Sequence, residues 1–410
     1  MLFLFVLTQL VGPSSQSPGN AIEQIRAFTR DSEFDYVAWT LDALGVKFGQ
    51  FSLAAADYMD AAAQKQAVLD YIDMVGEIHK AEGALESVFA DPGIEDIEAA
   101  AAPLREQLAT LYKQRTWLGP LAESVLQNQV AAMAAEMGFA LGGQSVPPVL
   151  YHSTPLPWAL IVSPRGVIQQ DANISLQTEM NVEQHVVLEK KISAALDVST
   201  LVVPVGGIGT YPTMVAQTTN LVWLTEVIAH EWMHNYLTMR PLGMKYSATP
   251  EMRTMNETTA SIAGTEIGQA VIAAYYPEFL PPPPPPQDDN APEPPPPDPN
   301  AFNFRAEMHK TRVHVDELLA EGKIEAAEAY MEARRVFFWE HGYHIRKLNQ
   351  AYFAFYGAYA DVAGGAAGED PVGEAVRNLR QMSATLFEFV RQIAWMSSFE
   401  ELQILVAKNR

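Results

Sequence analysis

Twelve prolines between positions 281 and 299 divide this chain more firmly than any other feature of its sequence. Pro281 to Pro286 form an unbroken run, and six more follow from Pro292 to Pro299 with acidic spacers. Proline donates no backbone hydrogen bond, so such a segment can enter neither a helix interior nor a sheet ladder and favours extended polyproline. Residues 280–300 are therefore expected to be a disordered loop, and the folded parts must be built on either side of it.

On the N-terminal side, residues 21–144 read as a helical domain. Val68, Tyr71, Ile72 and Val75 fall at i, i+3, i+4 and i+7, and Leu104, Leu108 and Leu111 repeat the pattern after Pro103. Gly119-Pro120 reads as the start of a further helix that Gly142-Gly143 stops. From 145 to 279 the pattern changes. The β-rich runs 158–163 and 201–205 flank a helical stretch from Val182 to Leu196, and an extended run from Tyr211 to Val215 precedes a helix over 220–239. Residues 301–410 return to helical spacing, with one long helix ending at Gly342 and a last long stripe from Val372 to Ile393. The fold class expected is α+β, with a small-sheet core between mainly helical flanks.

Charge and composition narrow the chemistry. Twenty-seven basic against forty-nine acidic residues leave a net charge of -22, so nucleic acid is not an expected partner. Cysteine is absent, which removes disulfides, thiolate metal sites and thiol nucleophiles together. Any metal must be held by His and carboxylate. Leu2 to Val11, LFLFVLTQLV, is about half a membrane span and lacks a basic flank; within residues 1–20 it reads as a signal or anchor remnant, with a buried strand or helix as the alternative. A signal or tether would place the protein outside the cytoplasm.

The chemistry-bearing motif is His230-Glu231-Trp232-Met233-His234, an HExxH match inside an apolar helical stretch. At about 100° per residue the two His lie one turn apart and roughly 40° around the helix, so both imidazoles can reach one ion. Glu231 is then placed to take a proton from a water beside that ion. A catalytic zinc site needs a third protein ligand and one open position. Metzincin spacing would require Gly at position 237 and His at 240, where this chain has Leu237 and Arg240. A carboxylate on a second helix is the alternative. Thr249-Pro250-Glu251 is a good start for one, and it carries Asn256-Glu257. Glu251 and Glu266 are the competing carboxylates, at about 120° and 180° from Glu257 around that helix.

Over residues 155–275 the chain resembles the gluzincins, the thermolysin-like and aminopeptidase-like zinc peptidases, whose HExxH helix is followed by a helix bearing an Asn-Glu pair. The resemblance implies a zincin-like core with a small mixed sheet, Zn2+ held by His230, His234 and Glu257, Glu231 as general base, and a peptide or protein substrate. The spacing from His234 to Glu257 is a few residues longer than usual, and Ser261 stands where thermolysin-like members carry an Asp that orients a ligand His. A Ser hydroxyl can accept an imidazole N–H in its place. Gluzincins also stabilise the oxyanion with a Tyr or His from outside the HExxH helix. Tyr352, Tyr356 and Tyr359 lie at i, i+4 and i+7, and Tyr356 is the candidate, with half-buried packing as the other reading of the stripe. Val205 to Tyr211, rich in glycine, lies where zincins place a substrate-pairing edge strand. His341 and His344 read as surface residues. A helical scaffold or assembly protein carrying an inactive or secondary zincin domain is the second functional expectation.

Overall fold

The computed structural model describes residues 21–90, 94, 96–280, 302–358, 368 and 370–409. The N-terminal apolar segment, the proline runs and Tyr359 lie outside them.

Four helices open the described chain: α1 (Ala21–Thr29), α2 (Tyr36–Leu53), α3 (Ala61–Ala90) and α4 (Ile97–Glu136). Gly119-Pro120 starts no new helix, because α4 runs straight through both Pro103 and Pro120. An interior proline costs about 3 kcal/mol. Beyond it, Ala122, Val125, Leu126 and Val130 are all fully buried, and each large side chain buried in this way contributes about 1.5–3 kcal/mol, which outweighs the break.

Residues 140–215 hold all the described strands, in three small sheets. The hairpin of β1 (Ala140–Leu141) and β2 (Gln144–Ser145) turns at Gly142 and Gly143, both at positive φ, as a two-residue turn of this hand requires. β3 (Tyr151–Ser153) belongs to a mixed sheet described below. β4 (Trp158–Pro164) is the centre of an antiparallel sheet, paired with β5 (Ala172–Leu176) on one side and with β6 (Val198–Val203) on the other. Leu160 and Val162 of β4 face Leu188 and Ile192 of α5 (Val182–Leu196), while Ala159 and Ile161 pack on the opposite side with Ala351 and Phe355. Both faces are covered, which explains why this strand reads as an unbroken apolar run. The mixed sheet has the order β3-β8-β7, with β8 (Thr213–Val215) parallel to β3 and antiparallel to β7 (Gly207–Ile208).

The remainder is helical: α6 (Leu221–Leu237), α7 (Pro241–Met244), α8 (Pro250–Tyr275), α9 (Phe304–Ala320), α10 (Ile324–Glu340), α11 (Gln350–Tyr356), α12 (Pro371–Met382), α13 (Leu386–Ile393) and α14 (Phe399–Asn409). Two expectations need correction here. The long helix ending at Gly342 is two helices, separated at Gly322, whose φ of 74° ends α9. The stripe from Val372 to Ile393 is also two, because Thr385 accepts a hydrogen bond from the Glu388 N–H and starts α13 afresh. None of the described helices is long and apolar enough to cross a membrane.

One hydrophobic cluster contains Val68 and Val75 of α3, Val125 of α4, Ile228 and Trp232 of α6, Ile267 of α8, Leu379 of α12 and Phe389 of α13. Helices from the N-terminal region, α6, α8, α12 and α13 thus share this cluster, while the antiparallel sheet and the α9–α10 pair pack in clusters of their own.

Candidate metal centre

The helix that carries the motif is well begun. Asn220 caps α6 by accepting from the Trp223 N–H at 3.0 Å, and Thr249 caps α8 by accepting from Met252, with Pro250 in the first turn. What brings the two helices together is the absence of side chains on α8. A Cβ at Gly264 would stand 2.8 Å from the Glu226 carbonyl oxygen and 2.9 Å from His230 Cβ, and one at Gly268 would stand 2.7 Å from the Glu226 nitrogen. Real Cβ atoms do not approach so closely, so only glycine permits this packing. Glu257, two turns earlier on α8, is thereby brought against the histidines.

His230 Nε2 and His234 Nε2 are 3.1 Å apart, and each is 3.5 Å from Glu257 Oε2. Ligands held at 2.0–2.1 Å around a tetrahedral ion are separated by about 3.3–3.4 Å. The observed triangle fits that edge. Glu257 Oε2 is buried and has no hydrogen-bond partner, and both of its distances to imidazole are too long for well-formed hydrogen bonds. An orphaned carboxylate oxygen facing two imidazole nitrogens is costly unless a cation lies between them. His230, His234 and Glu257 therefore form a group that could hold a metal ion.

The surrounding contacts aim these donors. His234 Nδ1 lies 2.8 Å from Asn256 Oδ1, while the Asn256 amide nitrogen donates to the Leu242 carbonyl at 3.2 Å. The amide oxygen thus accepts the Nδ1 proton, and Nε2 is the nitrogen turned toward Glu257. Ser261 Oγ lies 3.5 Å from His230 Nδ1, at the outer limit of a hydrogen bond. The Tyr246 hydroxyl donates to Glu257 Oε1, the oxygen turned away from the histidines, and Arg253 Nε approaches that hydroxyl at 3.4 Å.

The electrostatics of the protein alone already draw positive charge to this point. Burial would raise the Glu257 carboxyl, but His234 and His230 hold it well below the usual range. Burial opposes charge on His234, yet Glu257 and, to a lesser degree, Glu231 and Asn256 push it up to about 9. Burial raises the Glu231 carboxyl against the pull of both histidines.

Glu231 is packed under the edge strand. A Cβ at Gly207 would meet its Oε1 at 2.5 Å, so glycine at this position of β7 is what lets the carboxylate pass. Glu231 and the three candidate ligands line one cavity of about 880 Å³, together with Gly207, Gly209, Tyr246, Arg253 and Phe353.

The other candidates fall elsewhere. Tyr356 is not among the residues that line this cavity. Its ring packs 4.5 Å from that of Tyr352 and lies against the cluster containing Ile161 and Val203, while its neighbours Phe355 and Gly357 do line the cavity. Glu266 pairs with Arg380 at 2.6 and 2.8 Å, Glu251 is exposed in the first turn of α8, and His341 and His344 are exposed. Sequence reasoning missed Tyr246 and Arg253, for which no spacing rule gives a signal, and the clamp at Gly264 and Gly268, whose i, i+4 glycines on one helix face were a legible sign. No protein-family model, curated protein or solved structure matches this chain.

Proposed function

We propose that this protein is a zinc-dependent peptidase with a gluzincin-like core. The observation that carries the reading is the triangle of His230, His234 and Glu257, with its orphaned carboxylate oxygen and with Glu231 buried at its side in a single cavity. Two imidazoles and one carboxylate at tetrahedral spacing suit zinc.

When bound, zinc would polarise a substrate carbonyl and acidify water. His230, His234 and Glu257 hold the ion. Glu231 accepts a proton from the attacking water at a carboxylate oxygen and delivers it to the nitrogen of the departing amine. Asn256 keeps the His234 ring in the tautomer that ligation needs. β7, which among the described residues is paired on one side only, supports the reading that the substrate is an extended peptide, since a strand edge recognises backbone.

The experiment separates the two glutamates. Glu231→Gln is expected to keep about one zinc per chain and lose several orders of magnitude in hydrolysis of a peptide library. Glu257→Gln is expected to lose zinc, because a neutral amide is a poorer ligand. Parental hydrolysis by Glu231→Gln would end the peptidase reading and leave the scaffold alternative.

A further inference from the structure

Among the described residues, α2 carries a run of large exposed apolar side chains that takes no part in the candidate metal centre. Val37, Leu41, Leu44, Phe48 and Phe51 are 72, 65, 44, 76 and 67% exposed. Their spacing of four, three, four and three residues places them on one continuous stripe, the a/d seam of a two-stranded coiled coil. The helix is not loosely attached. On its inner side Ala43 is buried, Lys47 meets Glu123 at 2.7 Å, and the Gln50 amide donates to the Pro120 carbonyl at 2.8 Å. The inner side of α2 is thus fixed by one buried alanine and by polar contacts, and the apolar residues of this helix are gathered on the outer side.

We propose that the outer face of α2 packs against the same helix of a second copy of this chain. Three observations favour this occupant. The five side chains expose on the order of 600 Å², at the upper end for a monomer and, with the neighbouring Leu53 and Tyr58, close to the ~800 Å² that each partner gives to a stable complex. Ala38, Gly45 and Ser52 fall at the flanking e positions, and nothing lies within 4 Å of where a Cβ on Gly45 would be, so a second backbone can come close. Asp42, the sole acid of α2, falls at a b position that stays in water when two such seams meet. A lipid surface is the poorer match, because interfacial helices carry basic residues on their wet side, whereas the one basic residue of α2, Lys47, is buried.

Sedimentation equilibrium of the full chain tests the proposal. The expected mass is twice 45.1 kDa. A Leu44→Glu/Phe48→Glu double variant should sediment as a monomer with unchanged far-UV circular dichroism, since both side chains face solvent. A Leu44→Lys/Phe48→Lys variant should do the same, and mixing the two should restore the doubled mass. A parental chain that stays monomeric up to about 100 μM, or charged variants that remain dimeric, would overturn the assignment. A monomer that floats with phosphatidylcholine vesicles would transfer this face to lipid.

Discussion

Asn256 and Glu257 are neighbours in the chain and serve two different partners: one fixes the His234 ring from behind, at 2.8 Å, and the other faces the Nε2 atoms of both histidines from in front. One turn of α8 thus supplies a candidate ligand and the group that orients another candidate. The division of labour makes Asn256 testable by itself. Asn256→Ala should leave the donor set intact but free the ring, lowering zinc affinity about 10–100-fold in a chelator competition.

Gly264→Ala sets two effects against each other. Alanine gains about 1 kcal/mol of helix propensity, but its methyl group would stand 2.8 Å from a backbone oxygen of α6. Overpacking of this kind costs about 1–3 kcal/mol, and backbone cannot rotate aside as a side chain can. The clash should win, with a net loss in melting temperature by calorimetry and weaker metal binding as Glu257 is carried away from the histidines.

The tyrosines divide by position. Tyr246→Phe removes the donor to Glu257 Oε1 and should weaken both zinc retention and hydrolysis. Tyr356→Phe removes a hydroxyl next to the antiparallel sheet and should leave turnover within about twofold, whereas loss of an oxyanion donor costs roughly a hundredfold or more. A hundredfold drop in kcat for Tyr356→Phe would return it to the catalytic role first read from the stripe.

Acid sensitivity should trace to Glu123 of α4, which is not one of the candidate ligands. Burial works to raise the Glu123 carboxyl, but Lys47 and His152 bring it from its ordinary 4.5 down to about 2. A folded-state value below the unfolded one means that this carboxylate stabilises the protein fully above pH 4.5 and progressively less as pH falls toward 2. Melting temperature measured from pH 6 down to 3 should decline over that window. Lys47→Met would leave Glu123 buried without its ammonium partner and should cost about 3–5 kcal/mol at neutral pH.

The parts of this molecule legible in its sequence are those governed by short-range rules. The helix over Val182–Leu196, the helix start at Thr249, and the one-turn spacing of His230 and His234 all follow from periodicity and capping chemistry within a few residues. The misreadings arise where distant burial outvotes a local signal, as at Pro120, where fully buried neighbours carry α4 past a helix breaker. A periodic stripe, in turn, leaves open which neighbour it faces. Tyr352 and Tyr356 share a helix face as expected, but only the position of β4 and β6 shows that this face meets the sheet. Strand β5, reading Ala-Asn-Ile-Ser-Leu, was missed because its alternate polar positions made it too weakly apolar to stand out beside β4.

The shared core has a consequence for the order in which this protein can be made. His230, His234 and Glu257 have all been synthesised before the ribosome reaches the proline segment. Yet α8 is in contact with α12, α13 and α14, and the backbone N–H of Leu242, between the two ligand-bearing helices, donates to the carbonyl of Ala394 at 3.1 Å. The candidate site is written in the middle of the chain, but its helices pack against residues translated more than a hundred positions later, so a nascent chain holds these three side chains for some time before it holds their final surroundings.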